Sequence, residues 1–108
     1  MDNDIPYIDD ILSIIISLAA PDQIILFGSF ARGENKKTSD IDLLVLKKNL
    51  ENAKAITDNL YLSLYEKKIK IPVDVIVFDY DRYNELKTKI GYIFKKIHEE
   101  GKLIYGTL

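Results

Sequence analysis

The sequence predicts an α/β fold built on a small mixed β-sheet with helices packed mainly on one face. Three observations carry this expectation. Apolar spacing along the chain reads helix, strand, strand, helix, strand, helix. The link between the first two strands is short, which favours an antiparallel pair. A long helix separates the second strand from the third, which favours a parallel crossover.

After Pro6, apolar Ile11, Ile15, Leu18 and Ala19 recur at helical spacing, and Pro21 ends the pattern. Gln23 to Phe27 is short, rich in Ile and Leu and bounded by Pro21 and Gly28, so it reads as a buried strand. Phe30 to Gly33 reads as a single helical turn, and polar Glu34 to Ser39, with Gly33, Asn35 and Ser39 as turn residues, as a loop. Ile41 to Leu46 is an unbroken apolar run and makes the second strand. From Asn49, the expected N-cap, Leu50, Ala53, Ile56, Leu60 and Leu64 recur every three or four residues as far as Lys68. Pro72 then opens VDVIVF, a β-branched third strand whose only charge is Asp74. A third helix is expected from Arg82 to Glu100, with Leu86, Ile90, Ile93, Phe94 and Ile97 inward and Gly101 as its C′ residue. Leu103 to Tyr105 reads as a short closing strand.

At 108 residues and 47% hydrophobic content, the chain is sized for one domain spanning 1–108 with a genuine core and no internal linker. A net charge of −2 supplies no basic field of the kind that holds a nucleic-acid backbone, so nucleic acid is not an expected partner. The absence of cysteine excludes a disulfide framework, a thiolate zinc site and a cysteine nucleophile, and suits a cytoplasmic location. The longest uncharged stretch, Ile11 to Pro21, is far below the roughly 20 apolar residues needed to cross a bilayer, so no membrane partner is expected. The start, Met-Asp-Asn-Asp, lacks the basic region that precedes a secretory signal.

The chemistry concentrates in IILFGSFARGENKKTSDIDLLVL, where Gly28-Ser29 is followed after ten residues by Asp40-Ile41-Asp42. Alternate side chains of a strand share a face, so Asp40 and Asp42 point the same way. Two carboxylates that close repel unless a cation or a proton sits between them, which makes a divalent metal site the economical explanation. If the second and third strands are neighbours, Asp74 reaches the same patch. Three carboxylates can then hold two magnesium ions about 4 Å apart for in-line phosphoryl chemistry. Gly28 and Ser29 form a side-chain-poor turn whose backbone N–H groups suit a terminal phosphate, with the Ser29 hydroxyl as a further donor.

The pattern Gly28-Ser29-x10-Asp40-x-Asp42, with Asp74 on a later strand, resembles the signature of the polymerase-β-like nucleotidyltransferase superfamily. The fuller wording GSFARG…SDIDLLV, with VDVIVF downstream and a terminal EGKLIYG, is similar to the minimal nucleotidyltransferase (MNT) family over nearly the whole chain. The resemblance implies a polymerase-β-like fold and ATP as substrate. It also implies that Asp40 and Asp42 hold metals, that Asp74 joins one metal and assists the acceptor hydroxyl, and that Gly28-Ser29 bind the triphosphate. Members of that family are commonly antitoxins paired with a HEPN-domain ribonuclease toxin, which implies a hetero-oligomer and transfer of AMP to a toxin tyrosine. With no added helical domain to form an acceptor pocket, the acceptor surface is expected from the partner.

Plainer readings stand beside these. Arg32 either reaches a nucleotide phosphate or pairs with a neighbouring acid. Asp79 and Asp81 lie at a helix start, where capping accounts for them. Lys36 and Lys37 read as solvated loop charges, and His98 as a cation at the negative end of a helix dipole. Tyr61, Tyr65, Tyr83, Tyr92 and Tyr105 read as core-boundary residues rather than acceptors. Two further functions compete with protein adenylylation: a non-catalytic antitoxin that neutralises by binding, and a nucleotidyltransferase acting on a small molecule.

Overall fold

The computed structural model describes residues 5–107, so the expectation for the first four residues lies outside it. Ile8–Ala19 forms α1, with Asp9 and Asp10 at its positive end and Ile8, Ile11, Leu12, Ile15 and Ala19 buried. Leu18, expected inward, sits at the margin of that stripe in the last turn and is 44% exposed. Ala20 closes the helix in the left-handed region and Pro21 follows.

The four strands are β1 (Gln23–Phe27), β2 (Ile41–Lys47), β3 (Val73–Asp79) and β4 (Lys102–Gly106), arranged β3-β2-β1-β4. β1 pairs antiparallel with β2, and β2 runs parallel to β3, as the link lengths predict; β4 pairs antiparallel with β1, a position that no link length indicated. Between β1 and β2 lies α2 (Gly28–Arg32), and between β2 and β3 the crossover helix α3 (Ala53–Glu66).

The sheet carries a core on each face. Ile24, Leu26, Ile41, Leu43, Val45, Val75 and Val77 pack against α1, α2 and α3. The alternate residues Ile25, Leu44 and Leu46 pack against Tyr83, Leu86, Phe94 and Ile97. The mixed α/β sheet is therefore as expected, but helices cover both faces, three on one and two on the other. The second layer consists of α4 (Tyr80–Leu86) and α5 (Ile93–Glu100), where the apolar spacing predicted one continuous helix. Gly91, at φ +100°, occupies a backbone region closed to a helix, and the chain turns there. Ile90 and Ile93, expected inward, are consequently 88% and 53% exposed.

Two caps also differ from expectation. Asn52 rather than Asn49 caps α3, its side chain accepting from the Ala55 N–H at 3.2 Å. Gly101 is extended, with φ −75° and ψ 162°, and not a left-handed C′ residue. It is small because a Cβ there would lie 2.5 Å from the Ile97 carbonyl oxygen and 2.7 Å from Ile25 Cγ2, where α5 turns into β4.

Candidate active site

β1 delivers Phe27 to the edge of the sheet, and Gly28 turns the chain at φ +74° into α2. Gly33, also left-handed, ends α2, and the Glu34 N–H donates to the Ser29 carbonyl at 2.9 Å. A tight turn follows in which the Lys36 N–H donates to Ser39 Oγ at 2.8 Å. It leads the chain directly into Asp40 and β2.

Asp42 lies opposite Phe27 across the antiparallel pair and beside Asp74 across the parallel pair. Strand alternation puts Asp42 on the side of Leu44 and Leu46, and Asp74 on the side of Ile76 and Phe78, so both project from the face covered by α4 and α5. One oxygen from each of Asp40, Asp42 and Asp74 lies within 4.8 Å of the others. The structure thus brings together the three carboxylates singled out in the sequence and sets them next to Gly28-Ser29.

Burial and the neighbouring carboxylates of Asp74 and Asp40 push the Asp42 carboxyl up to about 6, against a weaker opposing pull from Arg32. Asp40 is shifted in the same direction, by desolvation and then by its hydrogen bond and charge interaction with Asp74. Three carboxylate oxygens this close together, with Asp40 and Asp42 both shifted toward holding their protons, are a donor set suited to a hard divalent cation.

Gly28 is constrained twice over. Its φ is positive, and a Cβ built on it would collide with the Asp42 carboxylate. The close approach of this backbone to the acid is what the glycine permits.

Arg32 pairs with Glu34 at 2.6 Å and with Glu100 of α5 at 3.8 Å, the second of its two sequence readings. Its charge still acts on Asp42. Asp79 caps α4, accepting from the Arg82 N–H at 3.0 Å, and His98 is exposed in the last turn of α5. Both match their plain readings.

Two features escaped the sequence reading. The Tyr61 hydroxyl accepts from the Val75 N–H at 2.8 Å, tying α3 to β3 one residue beyond Asp74. A groove of about 200 Å³ runs between α2 and α5, lined by Phe27, Gly28, Arg32, Ile93, Lys96 and Glu100. The exposure of Ile93 that reveals it depends on the break at Gly91, which apolar spacing alone did not disclose. A larger cavity, lined by Gln23, Tyr83, His98 and Leu103 among others, includes the opposite end of β1 and none of the three acids.

A sheet that aligns three carboxylates beside a glycine-serine turn defines a nucleotidyltransferase domain. The chain belongs to the polymerase beta nucleotidyltransferase family, whose profile matches residues 9–107. This bears out the resemblance drawn from the sequence.

Among curated proteins, a candidate protein adenylyltransferase of Methanocaldococcus jannaschii, MJ0141, is 36% identical over 58 residues. That match covers 53% of this chain and 59% of the relative, so the chain spans about three fifths of the relative's length.

Among solved structures, a mutant of the toxin–antitoxin MntA-HpeT superposes with a TM-score of 0.61 at 23% identity, covering 92% of this chain and 73% of that one. A toxin–antitoxin with AMP-PNP gives 0.56 at 24%, with the same coverages. A candidate nucleotidyltransferase from Sulfolobus solfataricus gives 0.56 at 23%, covering 92% and 77%. At these identities the likeness establishes the fold.

Proposed function

We propose that this chain, acting as a single domain over 1–108, transfers AMP from ATP to a hydroxyl of a partner protein. The observation that carries the proposal is the convergence of Asp40, Asp42 and Asp74 beside Gly28-Ser29 in a nucleotidyltransferase fold. The acceptor hydroxyl attacks the α-phosphorus, the bond from that phosphorus to the bridging oxygen breaks, and pyrophosphate leaves. Asp74, exposed on the edge strand between half-buried Val73 and buried Val75, takes the hydroxyl proton. The backbone N–H groups of the Gly28-Ser29 turn and the Ser29 hydroxyl hold the triphosphate, and Arg32 reaches it by exchanging a glutamate partner for a phosphate. Magnesium held by Asp40, Asp42 and Asp74 would supply charge neutralisation for the triphosphate and the departing pyrophosphate.

The partner in this reading is a HEPN-type ribonuclease toxin modified on tyrosine, and the chain is its cytoplasmic antitoxin. The family resemblance supports it, as do a curated relative named for protein adenylylation and structural neighbours that are toxin–antitoxin proteins. No helix among the described residues is long and apolar enough to cross a membrane.

Incubation with Mg2+, α-labelled ATP and a lysate of the source organism tests the proposal, beside the Asp40→Asn/Asp42→Asn double variant. The expected result is label on one discrete protein with the wild type only. If a co-purifying toxin is neutralised equally by both forms without label, the chain acts by occlusion. Labelled product without any protein acceptor would point to a small-molecule substrate.

A further inference from the structure

The cavity of about 340 Å³ bounded by α4, α5, β1 and β4 is lined by none of the three acids. Tyr80, Tyr83, Asn84 and Lys87 line it at spacings of three, four and seven residues, one face of α4 carried through to its C-cap. Ile25 and Leu103, partners across β1 and β4, supply an apolar floor, and Ile97 of α5 joins them. Apolar walls with a few convergent polar groups are the general form of a small-molecule site.

The charge of this lining has one sign. No aspartate or glutamate contributes to it, in a chain with 17 of them, whereas Lys87 and His98 do. Lys87 enters no ion pair among the described residues. Gln23 and Asn84 tie their amide nitrogens to the Thr107 and Tyr80 carbonyls at 2.7 and 2.9 Å, which spends those donors inside the protein. The side-chain donors that remain include the Lys87 ammonium, the His98 imidazole and the Tyr83 hydroxyl.

Tyr83 is the most telling of the three. It is only 3% exposed, and its ring is held edge-on to Phe94 with centroids 5.7 Å apart. Its hydroxyl bonds to no group among the described residues, where no fully buried side-chain polar atom lacks a partner, so the hydroxyl opens on the cavity. Burial raises its pKa, which keeps the phenol protonated and able to donate. A fixed donor beside an unpaired ammonium suits the oxygen of an anion.

We propose that this cavity is a second ligand site, taking a small organic anion, a carboxylate or phosphate on an apolar body. The body rests on Ile25, Ile97 and Leu103, and the anionic group meets Lys87, His98 and the Tyr83 hydroxyl. The proposal does not depend on the chemistry at the three acids.

The test is amide chemical-shift titration of the whole chain with phenylacetate and with phenyl phosphate, beside 2-phenylethanol as the uncharged body and acetate as the anion alone. At least one of the two anions should give saturable shifts at Tyr83, Asn84, His98 and Leu103, and should bind about tenfold or more tighter than either control. Whichever anion binds identifies the head group. Lys87→Gln and Tyr83→Phe should each weaken that binding about tenfold, with Lys87→Arg restoring it. Tyr83→Phe keeps the ring against Phe94, so the fold survives the loss of a hydroxyl that no protein group uses. Absence of saturable shifts with both anions would overturn the site, as would shifts centred on Gly28, Ser29 and Asp42 or affinities that both variants leave unchanged. Acetate binding as tightly as the larger anions would overturn the apolar body.

Discussion

The contact between the Gly28 backbone and the Asp42 carboxylate sets the tolerances of the site at the residue scale. Gly28→Ala forces a side chain into the left-handed region, at a cost of about 1–2 kcal/mol, and drives a Cβ into the acid. A displaced Asp42 should lower transfer by about a hundredfold, since small misplacements of reacting groups have effects of that size. Steady-state kinetics and a denaturant curve on this variant check both parts, and wild-type kinetics would refute the contact.

Asp42 also makes stability depend on pH. Its carboxyl titrates near 6 in the folded chain and near 3.8 when unfolded. Between those values the folded state holds a proton that the unfolded state has released, so stability falls as pH rises through the window and is flat above it. The metal-free chain should therefore melt higher at pH 5 than at pH 7. Glu99, held low by Lys95, works in the opposite direction, but that pair is solvent-exposed and contributes little. Asp42→Asn removes the neighbouring charge and should raise the melting temperature at pH 7, a gain in stability at the expense of chemistry. An unchanged or lower melting temperature in that variant would show that the repulsion is not expressed.

At the scale of elements, parallel pairing of β2 with β3 converts two sequence-distant aspartates into neighbours, Asp42 beside Asp74. β3 is an edge strand, paired on one side only, and the Tyr61 hydroxyl satisfies a backbone N–H on it. Tyr61→Phe deletes that bond, should cost about 1 kcal/mol, and should speed hydrogen exchange at the Val75 amide relative to the central strand. Equal exchange in both proteins would mean that β2 alone holds the strand.

The shared face of Asp40 and Asp42 and the parallel course of β3 were legible in the sequence because strand periodicity and connection length are local properties; the register that sets Asp74 beside Asp42 was not, since neither property fixes it. The break between α4 and α5 was not, because apolar residues continue at helical spacing through Ile90 and Ile93 and only Gly91 marks the turn. The same holds for Gly28, whose neighbour Asp42 is distant in sequence, and in part for Gly101, where a Cβ would meet Ile25 on another strand as well as the nearby Ile97 carbonyl. Asn49 and Asn52 are equally good caps by type and both adopt positive φ. Their roles separate only where the helical hydrogen bonds begin.

For the whole molecule, a sheet covered on both faces gives the carboxylates a rigid base, yet the site itself lies at the open end of the strands. Folding must therefore hold three repelling acids together, a repulsion that the charge of Arg32 offsets only weakly. A divalent cation that binds the folded arrangement and not the unfolded chain stabilises the whole domain by mass action. At a hundred times its dissociation constant, the contribution is about 2.7 kcal/mol. In a chain of 108 residues, that corresponds to a rise in melting temperature of more than about 10 °C. A thermal titration with Mg2+ at pH 7, reversed by a chelator, should show this rise in the wild type and lose most of it in Asp42→Asn. Because the readout is stability, it is independent of any acceptor, nucleotide or partner. A flat response in the wild type would mean that the three acids do not form a metal site in the free chain, and would shift attention to a site completed by the triphosphate itself.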